Sequence, residues 1–344
     1  MGIEIGKLKF DGSRKFDMKG FDTADNLGVD GKQKGQELLE EYRPQLVEWQ
    51  SKLYADGGRS LLIIFQAMDA AGKDGMINHV FSGVNPQGVQ VTSFKQPSKP
   101  ELAHDYLWRI HQAVPPKGMI GIFNRSHYED VLVGKVLDLP KAYGLPGAGK
   151  AKFWDMRYRQ ISDFERMLTE NGTAVLKFFL HVSKEEQRKR LLSRLDDKSK
   201  NWKFETGDLT TREDWDAYMK AYKDAINRTA TPFAPWYVIP ADKKWAARLA
   251  VAKILLDTFE DMKPKYPEIG KAGRKQLEEC RSALQPGKGE GKAKETPKDT
   301  QPTKVEGKGK ETPKDTQPAE AGGKDPGKAT DVTATSGSQT SAGA

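Results

Sequence analysis

Residues 34–54 carry Leu38, Leu39, Tyr42, Leu46, Trp49 and Leu53 three or four positions apart among charged neighbours, which predicts a helix with one apolar face. RSLLIIFQAM (59–68) then runs as continuous apolar sequence, the pattern of a strand buried on both faces of a parallel sheet. GVQVTSF (88–94) predicts a second strand, residues 99–113 a helix, GMIGIFNRS (118–126) a third strand and HYEDVLVGKVL (127–137) a helix after it. Phe153, Trp154, Tyr158, Ile161, Phe164 and Met167 mark another amphipathic helix. TAVLKFFLHVS (173–183) and WYVIPAD (236–242) are strands four and five, and Trp245, Leu249, Ala252, Leu256 and Phe259 lie on a final helix. Strands alternating with helices imply an α/β fold, a parallel sheet flanked by helices. Ligands of such sheets gather at the carboxyl ends of the strands.

The pattern stops at residue 286. From there KETPKDTQP occurs twice, starting at Lys294 and Lys310, and the segment has no aromatic residue. Without apolar side chains it has nothing to offset the entropy of ordering, so 286–344 is expected to be a disordered, low-complexity tail. Residues 1–30 form an N-terminal extension on this reading, and 31–285 the α/β domain. The chain has 344 residues and a formal charge of +8. The tail holds 10 Lys against 9 Asp plus Glu, so about +7 lies outside it (8 − 1). That excess suits a polyanionic ligand.

A single cysteine, Cys280, excludes a disulfide framework and fits a reducing compartment. MGIEIGKLKF has no apolar core of a secretory signal, and Gly6 stands where a myristoylation start needs Ser or Thr. SLLIIF and VLKFFL are too short to span a bilayer. These readings predict a cytoplasmic protein without membrane partners. The five histidines show no metal-ligand spacing.

Two polar motifs fall at carboxyl ends of predicted strands. AMDAAGKDG (67–75) departs from the phosphate-loop pattern G-x-x-x-x-G-K-[ST]. Gly72 and Lys73 fit, but Ala67 replaces the first glycine and Asp74 the hydroxyl residue, and Asp69 adds a second acid. A strand before and a helix after would aim backbone amides at an anion. Alone, the stretch also reads as an ordinary glycine-containing turn. IFNRSHYED (122–130) puts Asn124 where phosphate-loop enzymes usually present a metal-binding Asp, then Arg125 and, five residues past Asn124, Glu129. In isolation Arg125 and Glu129 also read as a surface pair. HVSKEEQRKRLLSRLDDKSKNWKF (181–204) is basic, with Arg190 and Arg194 on one helical face. It is either a solvated face or a lid over phosphates, and Trp202 within it is a candidate ligand contact.

Taken together, FQAMDAAGKDG, VNPQGVQVTSFKQPS, HDYLWR, IGIFNRSHYEDVLV, VLKFFLHVSKEEQRKR, NWKF and APWYVIPADKKW resemble the polyphosphate kinase 2 family over roughly residues 30–265. The resemblance implies a P-loop kinase-like (thymidylate-kinase-like) α/β fold with a helical lid at about 184–212. It implies transfer of a terminal phosphoryl group from inorganic polyphosphate to a nucleotide, with Mg²⁺, or Mn²⁺ in its place. Asp69 and Asp74 match acids that help bind metal and phosphate. Ala70, Ala71, Gly72, Lys73 and Gly75 match the phosphate cradle, Arg125 the arginine after the third strand, and Arg190 and Arg194 lid arginines. Asp69, Lys73, Asp74, Arg125 and Glu129 are the implied catalytic set. Asn124 and Glu129 depart from the commoner DRSWYNR form and resemble the subgroup that phosphorylates AMP as well as ADP to make ATP. The family also implies a homo-oligomer and no nucleic-acid partner.

Carboxylates repel a bare polyphosphate, but they recruit a hard cation that prefers oxygen ligands, and the cation bridges acid to phosphate. Two other readings stay open on sequence: an ATP-dependent nucleoside-monophosphate kinase on the same fold, and a non-catalytic polyanion or RNA binder.

Overall fold

The computed structural model describes residues 3–285. The tail expected at 286–344 lies outside the described residues. Two units divide after Arg274, and the first contains all the strands.

Six strands form one sheet: β1 (Lys9–Phe10), β2 (Ser60–Gln66), β3 (Val89–Ser93), β4 (Ile120–Asn124), β5 (Thr173–His181) and β6 (Trp236–Pro240), in the order β1-β6-β5-β2-β4-β3. All pairings are parallel except β1 with β6. Every residue of β2 is buried, as its uninterrupted apolar sequence requires for a central strand. β3 is an edge strand and is largely exposed. The first helix, α1 (Gly31–Asp56), precedes β2, and α2 (Lys73–Val80) follows it. Between β3 and β4 lie α3 (Lys99–Leu102) and α4 (Trp108–Gln112). After β4 come α5 (Val133–Val136), α6 (Leu139–Ala142) and α7 (Ala151–Glu170). β5 leads into α8 (Lys184–Asp196), α9 (Gly207–Glu213) and α10 (Trp215–Thr229), and β6 into α11 (Lys244–Met262). α12 (Lys271–Leu284) has no buried residue and runs into the second unit.

Two predicted helices are broken. For 99–113, a Ser98–Glu101 capping box starts α3. The Asp105 carboxylate then accepts from the Leu107 N–H at 2.9 Å, a local turn that competes with helix continuation. For 127–137, Ser126 caps a 3-10 turn over His127–Asp130 and the chain re-forms a helix only at Val133. The segment 3–30 contributes Leu8, Phe10, Phe16 and Leu27 to the buried core, with β1 closing one sheet edge. No described helix is long and apolar enough to cross a membrane.

One charge sits inside the core. Lys177, in the middle of β5, is fully buried. Its ammonium donates to the Glu165 carboxylate of α7 at 2.5 Å, the Thr229 carbonyl of α10 at 2.8 Å and the Tyr128 hydroxyl at 3.1 Å. All three protons are used. Tyr128 in turn donates to Glu165 at 2.7 Å. The network therefore ties the segment after β4 to β5, α7 and α10. His127, in the same segment, is fully buried with Nε2 3.4 Å from Glu165, and burial pushes its pKa down. It is a packed residue.

Removing one partner of a buried ion pair leaves an uncompensated charge. Lys177→Met is therefore expected to cost about 3–5 kcal/mol in urea unfolding. Adding Glu165→Leu to that variant should restore part of the loss. A single-variant loss below about 1 kcal/mol, the scale of an exposed pair, would show that the network contributes little.

Candidate active site

The strand register brings the two motifs together. Phe65 of β2 and Ser93 of β3 both align with Asn124 of β4, so the segments leaving β2 and β4 emerge side by side. Both turn sharply there. Ala70 (φ 60°) and Arg125 (φ 64°) adopt left-handed backbone that costs a non-glycine residue roughly 1–2 kcal/mol. Gly72 takes φ 109° as the residue before α2, where a side chain would be strained. The amides that open α2 are unpaired within the helix and face the loop, as an anion site requires.

A buried guanidinium holds this loop. Arg190 of α8 donates through Nη1 to the Ala71 carbonyl at 2.7 Å, and through Nη2 to the Ala241 and Asp242 carbonyls at 2.7 and 3.0 Å. Its Nε donates to Glu186 at 2.8 Å. Gln187, three residues earlier on the same helix, donates to the Asp69 carbonyl at 3.0 Å. Ser183 starts α8 by accepting from the Glu186 N–H at 3.1 Å. Arg190, expected on a lid gripping phosphates, thus engages protein acceptors and supports the loop from below. Arg194, one turn further, points its Nη1 to Asp208 and the Lys203 carbonyl, each at 3.4 Å. Burial, and then the Asp69 charge, push the Asp208 carboxyl up.

Around the loop, acids and bases alternate. Arg125 Nη2 donates to Asp69 Oδ1 at 2.7 Å, and its Nη1 lies 3.6 Å from Glu129. Burial opposes the Arg125 charge, but Glu129 and Asp69 outweigh it and raise its pKa. Asn124 Nδ2 donates to Asp74 Oδ1 at 2.8 Å. Lys73 donates to the Ala67 carbonyl at 2.8 Å, and burial, followed by the Arg125 charge, lowers its pKa. Asp69, Ala70, Ala71, Gly72, Lys73, Asp74, Gly75, Asn124, Arg125, Arg190 and Arg194 all line one cavity of about 1180 Å³. Glu129 lies behind its wall, where Gln66 Nε2 donates to it at 3.0 Å. Among the described residues no three His, Cys, Asp or Glu side chains cluster as a metal site.

The pattern reading missed several residues here. Lys244 and Arg248 line the cavity from the first turns of α11. Their place just after the carboxyl end of β6 was the available signal. Tyr222 of α10 is buried, and burial together with Glu129 and Asp69 pushes its hydroxyl far up. Trp202, a candidate ligand contact on sequence, is 76% exposed and lines the cavity.

Comparison with known proteins follows the same lines. The family model described as Polyphosphate kinase 2 (PPK2) matches residues 30–267. A protein of Meiothermus ruber named AMP/ADP-polyphosphate phosphotransferase is 50% identical over 76% of this chain and 95% of its own length. An ADP-polyphosphate phosphotransferase of Rhodopseudomonas palustris is 46% identical over 83% of this chain and 99% of its own. Among solved structures, Polyphosphate Kinase 2 from Arthrobacter aurescens TC1 superposes with a TM-score of 0.74 at 42% identity. It covers 81% of this chain and 99% of that one. A sheet that brings a two-acid phosphate loop against an arginine-bearing β4 exit, matched over most of the chain, makes this protein a member of the polyphosphate kinase 2 family.

Proposed function

We propose that this enzyme moves the terminal phosphoryl group of inorganic polyphosphate to AMP and ADP, giving ADP and ATP, reversibly and with Mg²⁺. The observation that carries the reading is the charge arrangement of the cavity. Besides the loop, its wall presents Lys95, Lys189, Lys200, Lys203, Lys244 and Arg248, a cationic surface larger than one nucleotide's phosphates require. Phosphoryl transfer has little covalent work for protein groups, so positioning and charge neutralisation supply most of the catalysis.

The residues fit a divalent cation. Asp69 and Asp74 each spend Oδ1 on a neighbour, Arg125 and Asn124 respectively, and among the described residues Oδ2 of each has no hydrogen-bond partner. Mg²⁺ keeps several waters and takes one or two carboxylates plus phosphate oxygens, so two acids are enough. Bound there, Mg²⁺ would neutralise charge on the phosphates. Arg125 offers a planar fork to phosphate oxygens while Asp69 and Glu129 hold its orientation. The α2 amides and Lys73 cradle the donor. Asn124 fixes Asp74, and Glu129, held by Gln66 behind the wall, acts through Arg125 on whether the acceptor ends in one phosphate or two. Arg194 and Trp202 close the outer side. The reading includes a cytoplasmic homo-oligomer and no nucleic-acid partner.

Incubating the protein with Mg²⁺, AMP and polyphosphate, without ATP, should yield ADP and then ATP. An ATP-dependent monophosphate kinase would form neither product, and a binder would show no turnover at all.

Asp74→Asn keeps size and removes charge. kcat/KM should fall by about 10² or more, roughly 3 kcal/mol of transition-state stabilisation, with the melting temperature held. Asp74→Ser restores the ordinary hydroxyl but should fail as well. Near-parent activity of Asp74→Ser across a Mg²⁺ titration would contradict the metal argument.

Glu129→Ala should change the ratio of AMP to ADP phosphorylation by several-fold in steady-state kinetics. Equal losses on both acceptors would make Glu129 a general support for Arg125.

A further inference from the structure

The segment 3–30, an extension on sequence, touches β6 at both of its ends. At the amino end of β6, far along the strand from the phosphate loop, Lys9 pairs with Tyr237 and Phe10 with Trp236. The Phe16 ring meets those of Phe10 and Phe21 edge-on, with centroids 5.2 and 5.8 Å apart. These contacts bury apolar surface and hold the segment in place. Beyond the carboxyl end of β6 the contacts are polar. The Thr23 hydroxyl donates to Asp242 Oδ2 at 2.7 Å, the Asp242 N–H donates to the Thr23 carbonyl at 3.0 Å, and Lys243 Nζ donates to Asn26 Oδ1 at 2.6 Å.

Asp242 is a junction. Its Oδ1 accepts from the Ser183 N–H at 2.7 Å, and Ser183 is the N-cap of α8, whose hydroxyl accepts from the Glu186 N–H. Its backbone carbonyl accepts from Arg190 Nη2 at 3.0 Å. One residue thus couples Thr23 to the start of α8 and to the guanidinium that supports the phosphate loop through Ala71. Hydrogen bonds to an ionised acceptor are the stronger kind, and both oxygens of this carboxylate are used. With Oδ2 held by Thr23, Oδ1 faces the Ser183 amide. Without the Thr23 hydroxyl the carboxylate is free to turn, and the α8 N-cap and the turn that Arg190 grips lose a fixed reference. Thr23 itself is not among the residues that line the phosphate cavity.

We infer that Thr23 is a positioning residue for phosphoryl transfer: through Asp242 it fixes the start of α8 and the Arg190 fork, and through them the phosphate loop. This rests on the functional reading above. It makes the segment ahead of α1 part of the active-site support, at one hydroxyl, in addition to its share of the core. A group that sets the place of catalytic side chains without touching substrate acts on the rate of transfer more than on nucleotide binding.

The test is steady-state kinetics of the full chain with polyphosphate, ADP and Mg²⁺. Thr23→Val keeps the shape of the side chain and removes the hydroxyl, so kcat should fall about 10-fold, the scale of one charge-assisted hydrogen bond, with the KM for ADP unchanged. Thr23→Ser restores the hydroxyl and should return kcat to the parent value. Asn26→Ala removes the neighbouring contact to Lys243 at an exposed residue and should leave kcat as it is, which separates positioning from general loosening of the segment. In an Arg190→Lys background Thr23→Val should cost little more, because residues acting through one contact are not additive. Where Thr23→Val lowers the melting temperature, Thr23→Ala, which places no methyl against the carboxylate, carries the same comparison. An unchanged kcat, no recovery in Thr23→Ser, an equal loss in Asn26→Ala, or a full additive loss in the Arg190→Lys background overturns the assignment and leaves the phosphotransfer reading in place. A parent enzyme that makes no ATP from polyphosphate and ADP overturns the functional reading, and the inference with it.

Discussion

The site depends on one buried side chain that ties two loops to the helix carrying it. Arg190 joins the loop after β2, through Ala71, to the turn after β6, through Ala241 and Asp242. A planar fork with separated nitrogens spans acceptors on both sides of a gap wider than a single ammonium nitrogen bridges. The loop it holds contains Ala70 at positive φ, a conformation that persists only when the surroundings over-determine it. Losing Arg190 would free the loop to relax, and the α2 amides, Lys73, Asp69 and Asp74 would all shift with it.

A second constraint acts on the other half of the site. Arg125 also sits at positive φ, and the segment behind it is pinned by Tyr128 to the buried Lys177–Glu165 pair. Both loops therefore hold strained backbone, each secured to a buried charge. The outer helices are tied less closely: the Arg194 side chain makes only long contacts and Trp202 is exposed. Loops held this closely suit a reaction whose catalysis is mostly charge placement.

Much of this was legible in the chain. The continuous apolar runs marked β2, β4 and β5, and the two polar motifs fell at carboxyl ends, as α/β topology requires. Periodicity could not find β1, a two-residue strand set by tertiary pairing, nor the break at Ser126. A basic run showed that Arg190 and Arg194 share a face, but not that one would be buried under the loop and the other paired on the outside. Lys177 inside VLKFFL was a visible anomaly, yet nothing in the pattern names Glu165 as its partner. Arg248 was hidden because a helix read for its apolar stripe gives no weight to the cations beside it.

The central claim is that a loop shaped from beneath sets where the phosphates and their cation sit. Arg190→Lys tests it most directly, because the charge is kept and only the fork is lost. The account predicts that kcat/KM with polyphosphate and ADP falls by about 10² or more, as for a misplaced catalytic group, with Mg²⁺ saturating. Activity within a few-fold of the parent would contradict it, since positive charge alone would then suffice and the geometry of the loop would not depend on the guanidinium.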